Sequence, residues 1–291
     1  MISVVIPAHN ESRVIQRTLA ALRDSPRPGE LQIIVVCNGC KDDTARVARA
    51  FAPTIRVVET DLPSKSSALN LGDCAATVFP RFYLDADVIL PWESLHRMSV
   101  RLTQGDILAV APLPHFDLTE SSWPVRAYYQ IHMRLPAYRE GIGGSGVYGL
   151  SEEGRKRFDR FPDVTADDGF VRVQFRPEER ATLADCHSIV RAPCTLRELI
   201  SIKTRSHYGS CELRRLNPGL WVNKGASNRA ALMELCCNPL LWPKLLAYAY
   251  VKIMIRLRSR RLLRAGGRGA WQRDESSRMP AGGPPDALKT D

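Results

Sequence analysis

The stretch Ile2-Ser-Val-Val-Ile-Pro-Ala-His-Asn-Glu11 places polar side chains directly after a short apolar run. The apolar residues at positions 2–6 are typical of a buried strand. In an open α/β sheet, ligands bind at the carboxyl ends of the strands, so the polar residues that follow are well placed to contact one. They also suit the start of a helix, because Asn10 can act as an N-cap and Glu11 favours the helix dipole.

The rest of the first 110 residues alternates short apolar runs with helical patterns. Further strands are predicted at 31–36, 55–58, 79–84 and 107–112, and helix-period patterns lie at 11–23, 42–51 and 65–76. This alternation predicts an α/β/α sandwich that is Rossmann-like, with a mostly parallel central sheet. Residues 163–192 are expected to form a short helix followed by strands, and the chain beyond 195 is expected to be helical and basic.

Composition restricts the class of protein. The chain has 291 residues, of which 44% are hydrophobic and 25% charged, so a disordered or fibrous protein is excluded. Eight cysteines are too few for a disulfide scaffold, and the N-terminus lacks the pattern of a signal peptide, so a reducing, cytoplasmic location is expected. The net charge is +10, but nine basic side chains and no acid lie between residues 240 and 273, so the excess belongs to the tail and nucleic acid is not an expected partner.

A second polar segment, Val36-Cys-Asn-Gly-Cys-Lys-Asp-Asp-Thr44, follows the predicted second strand. Asn-Gly is typical of a tight turn, and the acidic residues after it can cap the next helix. The C-x-x-C pair invites a redox or zinc interpretation, which is disfavoured because the sequence has no partner C-x-x-C. Dinucleotide-binding G-x-G-x-x-G and P-loop signatures are also missing.

Paired carboxylates occur at two places. In Tyr83-Leu-Asp-Ala-Asp87, Asp85 and Asp87 are two residues apart on an extended strand, so both point the same way at its carboxyl end. Like charges this close repel each other unless a cation lies between them, and carboxylates completed by substrate phosphates are the usual ligands of Mg²⁺ or Mn²⁺. The second pair, Asp167 and Asp168, would by itself be interpreted as the capped start of a helix.

Taken in order, these segments resemble family 2 glycosyltransferases of the GT-A fold over roughly residues 1–215. The motifs that carry the resemblance are VVIPAHNE, the turn after the second strand, Lys65-Ser-Ser-Ala-Leu-Asn70, Asp85-Ala-Asp87, Gly143-Gly-Ser-Gly146 and Ala166-Asp-Asp168. The resemblance implies transfer of a sugar from a nucleotide-sugar donor, with inversion at the anomeric carbon. It also implies that Asp85 and Asp87 hold Mn²⁺ or Mg²⁺, that Asp168 is the catalytic base, and that Asp167 stands where the family has Glu. The donor-binding residues implied are Pro7, Ala8, Asn10, Glu11, Asn38, Lys65, Asn70 and Asp85.

Two departures from the family pattern limit what carries over. The acidic turn usual after strand two is replaced by Cys37-Asn38-Gly39-Cys40, and the amide of Asn38 can both donate and accept, which leaves the base of the donor open. The family's Q/R-x-x-R-W element is also missing, and Lys203-Thr-Arg-Ser-His-Tyr208 occupies its expected place. We therefore take Gly144, Ser145, Lys203, Arg205 and His207 as candidate contacts to the diphosphate or the acceptor; the basic segment could also be an ordinary solvated helix.

The chemistry agrees with two separate acidic sites. A bound cation stabilises the departing nucleoside diphosphate, and one carboxylate takes the proton of the acceptor hydroxyl. The alternatives are a sugar-nucleotidyltransferase, which normally has a Gly- and Arg-rich loop after strand one, and a non-catalytic basic module that binds membranes or nucleic acid. The acceptor is unidentified, either lipid-linked or a small molecule.

The C-terminal segment is apolar and aromatic around residues 239–257 and is followed by an arginine cluster. This pattern favours a helix lying on the surface of an anionic membrane, with a core helix that has a solvated basic end as the alternative. Lys252 argues against a span. The predicted organisation is a catalytic domain at 1–215, a helical basic segment at 216–265 and a disordered tail at 266–291.

Overall fold

A seven-stranded sheet forms the centre of the computed structural model, in which residues 1–23, 28–139, 142–225 and 227–264 are described. The strand order is β3-β2-β1-β4-β6-β5-β7. Every neighbouring pair is parallel except those of β6, which runs antiparallel to both β4 and β5. The strands are β1 (Ile2–Ala8), β2 (Leu31–Asn38), β3 (Ile55–Thr60), β4 (Arg81–Leu84), β5 (Ala109–Asp117), β6 (Val147–Leu150) and β7 (Arg180–Arg191).

Helices follow most of the strands. The α-helices of the described residues are α1 (Ile15–Arg23), α2 (Thr44–Arg49), α3 (Lys65–Ala75), α4 (Trp92–Thr103), α5 (Trp123–His132), α6 (Pro136–Arg139), α7 (Glu152–Arg155), α8 (Asp167–Val173), α9 (Leu196–Leu216), α10 (Arg229–Cys236) and α11 (Trp242–Arg264). Short 3₁₀ turns lie at Pro28–Glu30, Pro177–Glu179, Pro218–Lys224 and Pro239–Leu241.

Both faces of the central strands are buried, which explains their continuous apolar runs. Val4 and Ile6 of β1 pack into a cluster with α1 and α4. Val5, the residue between them, packs on the opposite face with residues of α3 and α8. This alternation follows from the period of two along a strand, and it confirms the predicted α/β/α sandwich with a mostly parallel sheet.

The structure corrects several predicted boundaries. β5 runs to Asp117, beyond the predicted end at 112, because its second half pairs with β7 after a shift of register. The strands expected within 163–192 are one long strand, β7, preceded by α8. Between the predicted strand that ends at 112 and the region that begins at 163, the structure has α5 and the antiparallel strand β6, which is too short to stand out in the sequence.

The C-terminal helices pack beside the sheet. α9 begins with a capping box, in which the Thr195 hydroxyl accepts from the Glu198 amide and the Glu198 carboxylate accepts from the Thr195 amide. One side of α11 packs against α5 and α9 through Tyr248, Val251 and Ile255. No helix of the described residues is long and apolar enough to cross a bilayer. The division at 215/216 stays a prediction, and the tail predicted at 266–291 lies outside the described residues.

Candidate functional site

A cavity of about 970 Å³ opens at the carboxyl ends of β1, β2 and β4. Its walls come from the ends of those strands, the start of α3, the glycine-containing loop at 142–146, the start of α8 and one side of α9. This is the position at which ligands bind in open α/β sheets.

An ion-pair cluster lies in this cavity. The Lys65 Nζ atom lies 2.7 Å from Oδ1 of Asp85 and 2.9 Å from Oδ1 of Asp167. Lys65 is the first residue of α3, whose N-cap Ser64 accepts a hydrogen bond from the Ser67 amide. Asp85 follows β4 directly and Asp167 begins α8, so three separate elements bring the three charges together.

The backbone of the Asp85-Ala86-Asp87 segment is fixed from α1. Thr18 Oγ1 donates a hydrogen bond to the Ala86 carbonyl at 2.8 Å, and Arg17 Nη2 donates to the Asp87 carbonyl at 3.1 Å. Asp85 and Asp87 both line the cavity, as the sequence pattern predicts for two carboxylates two residues apart at a strand end.

Electrostatically, the cluster has an excess of negative charge. Burial raises the pKa of Asp85, and the carboxylates of Asp87 and Asp168 raise it further, while Lys65 opposes the shift. Burial likewise raises the pKa of Asp167, with Lys65 opposing and Asp168 and Asp85 adding to the rise. The pKa of Lys65 is raised because its two carboxylate partners outweigh the effect of burial. The carboxylates of Asp87 and Asp168 thus add negative charge beside the two that Lys65 pairs with, an arrangement that a further cation would stabilise.

A divalent metal fits this donor set. Within the described residues, no group of three or more His, Cys, Asp or Glu side chains is arranged to hold a metal ion by itself. Mg²⁺ and Mn²⁺ sites usually combine one or two carboxylates with oxygens of a substrate phosphate, and the carboxylates of Asp85 and Asp87 both border a cavity open to such a ligand.

The loop at 142–146 and the start of α8 hold Asp168. Its Oδ2 accepts from the Gly144 amide at 3.1 Å and its Oδ1 from the Gly169 amide at 2.7 Å. The N-cap position of α8 belongs to Ala166, so neither acidic residue is the N-cap. The loop requires a glycine at 146, where φ is 68° and a Cβ would lie 2.4 Å from Val88.

On the side of β2, the turn after the strand is closely packed. Gly39 has φ 57°, and a Cβ there would lie 2.8 Å from the Cβ of Pro63. Asn38 is buried, and its surroundings assign the amide orientation in which the nitrogen donates to the Ala8 carbonyl at 2.7 Å and the oxygen accepts from the Ser64 amide at 3.3 Å. The side chain of Asn38 therefore holds strand ends together as well as bordering the cavity.

Most of the predicted site residues line the cavity. They are Pro7, Glu11, Asn38, Lys65, Asn70, Asp85, Asp87, Gly144, Ser145, Asp167, Asp168, Lys203 and Arg205. Asn70 uses its amide to bind the backbone of Phe161, to which it donates at 3.0 Å and from which it accepts at 2.9 Å. It therefore positions a wall of the cavity.

Three predicted residues are placed elsewhere: Ala8, Asn10 and His207 are not part of the cavity lining. The Asn10 side-chain oxygen accepts from the Lys41 amide at 2.6 Å. His207 Nδ1 lies 3.0 Å from Ser259 Oγ, so this histidine connects α9 to α11.

No sequence motif predicts the end of the cavity nearest β5 and β7. Phe116 of β5, Tyr129 of α5, and Val190 and Pro193 at the end of β7 form this end, next to Ile202 of α9. These residues are brought together by the pairing of β5 with β7 and by the packing of α9, which leave no local signal in the sequence.

The cysteine pair at the second strand does not form a disulfide. Cys37 is buried and Cys40 is partly buried, and none of the eight cysteines is in a disulfide. Cys40 Sγ lies 3.4 Å from the Ala8 carbonyl and 3.4 Å from the Asn10 amide, so it packs the turn against β1.

Comparison with known proteins identifies the family. The model of the family described as "Glycosyl transferase family 2" matches residues 3–151. The chain belongs to glycosyl transferase family 2. The matched region includes β1 to β6 and the Asp85-Ala86-Asp87 segment, and it confirms the resemblance seen in the sequence.

Relatives of this family 2 member include the probable glycosyltransferase YdaM of Bacillus subtilis (strain 168), which is 42% identical over 79 residues. That match covers 24% of this chain and only 19% of YdaM. Among solved structures, the mannosyltransferase PcManGT of Pyrobaculum calidifontis, in complex with GDP-Man and Mn²⁺, has a TM-score of 0.62 at 22% identity, covering 92% of this chain and 76% of that one. TarS 1–349 of S. aureus, in complex with UDP, has a TM-score of 0.51 at 12% identity, covering 94% of each chain. These similarities confirm the GT-A fold.

Proposed function

We propose that this protein transfers a sugar from a nucleoside-diphosphate donor to an acceptor hydroxyl, with inversion and with the help of a divalent cation. The observation that carries the proposal is the cluster in which Lys65 pairs with Asp85 and Asp167, with the charges of Asp87 and Asp168 beside them, in a cavity at the carboxyl edge of the sheet. Family membership and two solved structures of the same fold, one bound to GDP-Man with Mn²⁺ and one to UDP, support it.

Asp85 and Asp87 would hold Mn²⁺ or Mg²⁺, with oxygens of the donor diphosphate completing the ligands. When bound, the cation stabilises the negative charge that develops on the leaving diphosphate. Lys65 fixes the orientation of Asp85 through their 2.7 Å contact, and it holds Asp167 at the same time. The ion pairs therefore keep the metal-binding carboxylate in place before the donor arrives.

Asp168 would act as the base. The amides of Gly144 and Gly169 hold its carboxylate in one orientation at the cavity wall. In a direct displacement, the acceptor hydroxyl gives its proton to Asp168 while its oxygen bonds to the anomeric carbon, and the bond from that carbon to the diphosphate breaks. A single displacement of this kind inverts the anomeric carbon.

The test is a calorimetric and thermal-shift panel. UDP, GDP and their sugar conjugates are titrated with and without Mn²⁺, since a ligand that binds the folded protein raises its melting temperature by mass action. We expect one nucleoside diphosphate to bind with metal dependence. Consumption of a nucleoside triphosphate and a sugar 1-phosphate would instead indicate a sugar-nucleotidyltransferase, and absence of any nucleotide binding would contradict both functions.

We also propose that the protein attaches to an anionic membrane surface through α11. One side of α11 is buried, and the other carries a row of exposed apolar and aromatic side chains. At the C-terminal end of the helix, arginines occupy the same face at the same helical spacing. The exposed apolar members of the row are Trp242, Leu246, Tyr250, Ile253 and Leu257, and the arginines on the same face are Arg260, Arg261 and Arg264. A helix face that combines exposed apolar side chains with positive charge binds to the surface of an anionic bilayer.

Co-sedimentation with vesicles tests this attachment. We expect the full chain to bind phosphatidylcholine vesicles that contain phosphatidylglycerol, to release them as salt screens the charges, and to ignore phosphatidylcholine alone. Serine at Trp242, Leu246 and Tyr250, all three exposed, should remove binding, whereas the matched control Leu71→Ser on α3 should not. Unchanged binding by the triple variant, or no binding by the wild type at low salt, would contradict the proposal.

A further inference from the structure

Lys203 is a cation without an anionic partner at the far end of the cavity. It lies on α9 and lines the cavity wall, and its Nζ atom is 5.5 Å from the centre of the Tyr129 ring. In the described part of the chain, no carboxylate lies within ion-pair distance of Nζ and no acceptor within hydrogen-bonding distance. A partly buried ammonium group that contacts only an aromatic face keeps its hydrogen-bonding capacity for a ligand.

The surroundings of Lys203 are unfavourable for a positive charge. Burial lowers its pKa to about 8, Lys252 of α11 adds to the fall, and Asp168 acts in the opposite direction. The neighbouring His132 of α5 is kept neutral, because burial and the two lysines lower its pKa to about 3. At neutral pH the lysine is still protonated, so an anion bound beside it would relieve both the burial cost and the repulsion from Lys252.

The position of Lys203 separates it from the donor. The Tyr129 ring that Lys203 faces lies 4.3 Å from the ring of Phe116 in β5, measured between centroids. Strand β6 lies between β5 and β4 in the sheet, and Asp85 and Asp87 follow β4. Lys203 therefore lies on the β5 side of the cavity, away from the strand end that carries the two proposed metal-binding carboxylates. The walls around it, from Phe116, Tyr129, Pro193 and Ile202, are mainly apolar, and Arg205 also lines the cavity.

Building on the proposed function, we propose that Lys203 binds a phosphate group of the acceptor, and that the apolar part of the acceptor lies on the surrounding aromatic and aliphatic side chains. The acceptor would then carry a phosphate in addition to the hydroxyl that faces Asp168. The chemical class is a phosphate ester of an apolar alcohol or a similar amphiphile, since charge and apolar surface meet at this end of the cavity.

The experiment uses phenyl phosphate as a probe that combines a phosphate with an apolar group. The full chain is first saturated with the nucleoside diphosphate that binds it and with Mn²⁺, and phenyl phosphate is then titrated by calorimetry. Lys203→Met keeps the length of the side chain and removes its charge, while Lys203→Arg keeps the charge. The matched control is Lys156→Met, at an exposed lysine that directly follows α7 and pairs with Glu152 and Glu153.

We expect phenyl phosphate to bind the nucleotide-loaded protein, with affinity reduced about tenfold or more by Lys203→Met, as for a lost charged hydrogen bond. Lys203→Arg should bind within a few-fold of wild type, and Lys156→Met should be unchanged. Equal affinity in wild type and Lys203→Met would overturn the proposal, as would absence of binding at millimolar probe. Displacement of phenyl phosphate by the nucleotide would also overturn it, because Lys203 would then belong to the diphosphate site.

A failure of the proposed function would appear in a different measurement. It depends on the metal dependence of nucleotide binding, which is measured in the first titration before any probe is added. Loss of that metal dependence contradicts the metal site, whereas the second titration reports on Lys203 alone.

Discussion

His132 should make the protein sensitive to mild acid. The imidazole lies within a group of aromatic rings, stacked on Tyr128 at a centroid distance of 5.7 Å and near Phe116 and Tyr138. Burial, followed by the charges of Lys203 and Lys252, lowers its pKa to about 3. The unfolded chain therefore binds a proton at this histidine well before the folded protein does, and stability is lost as the pH falls below 6.5.

The size of the effect follows from the two pKa values. With 6.5 in the unfolded chain and about 3 in the folded protein, acidification from pH 7.5 to 5.0 lowers the free energy of unfolding by ~2 kcal/mol through this group alone. His132→Phe keeps a planar ring against Tyr128 and removes the titration. The variant should therefore lose ~2 kcal/mol less than wild type over the same pH range.

Urea unfolding followed by tryptophan fluorescence at pH 7.5, 6.5, 5.5 and 5.0 measures this difference. His115→Phe serves as the control, because His115 is exposed and lies outside the aromatic group. The stability of this variant should change with pH as that of wild type does. Equal losses of stability on acidification in wild type and His132→Phe would refute the reasoning.

Four substitutions test the proposed catalytic carboxylates and the core. Asp168→Asn should bind donor nearly normally and lose about 10²–10⁴-fold in turnover, as measured by nucleotide release, because the proposed base is removed. A larger loss in Asp167→Asn would mean that the base has been assigned one residue out of register. Asp73→Asn should lower the free energy of unfolding by about 3–5 kcal/mol in urea titrations, since a largely buried carboxylate contacted by two arginines is neutralised; a change below about 1 kcal/mol would contradict this. Gly149→Ala should lower the free energy of unfolding by about 1–3 kcal/mol in the same urea titration, because a Cβ there would lie 2.4 Å from the Phe82 ring. An unchanged urea midpoint would show that β4 and β6 accommodate the methyl group easily.

Local signals explain what the sequence could predict. β1, β2 and β4 are buried on both faces, so their apolar runs are continuous and easily recognised. The paired carboxylates Asp85 and Asp87 occur within three residues at the end of one of these runs, which is why they could be assigned to the cavity from the pattern alone.

Long-range contacts explain which features of the site the sequence could not predict. The ion pair between Lys65 and Asp167 joins the starts of two helices far apart in the chain, and neither neighbourhood encodes the other. His207 sits in a basic segment like Lys203 and Arg205, but α11 packs against its side of α9, so it faces Ser259 instead of the cavity. The direction in which a side chain points from a helix is settled by the packing partner, and that partner is not visible in a local motif.

Binding of a nucleoside diphosphate with and without Mn²⁺ tests the metal site of the proposed glycosyltransferase most directly. Wild type, Asp87→Asn and Asp106→Asn are titrated by calorimetry, the last as a control because Asp106 is exposed and pairs with Arg101. We predict that Mn²⁺ strengthens binding at least about tenfold in wild type and in Asp106→Asn, but not in Asp87→Asn, while all three melt at similar temperatures. Equal binding by wild type in Mn²⁺ and in EDTA, or full metal dependence in Asp87→Asn, would contradict the account.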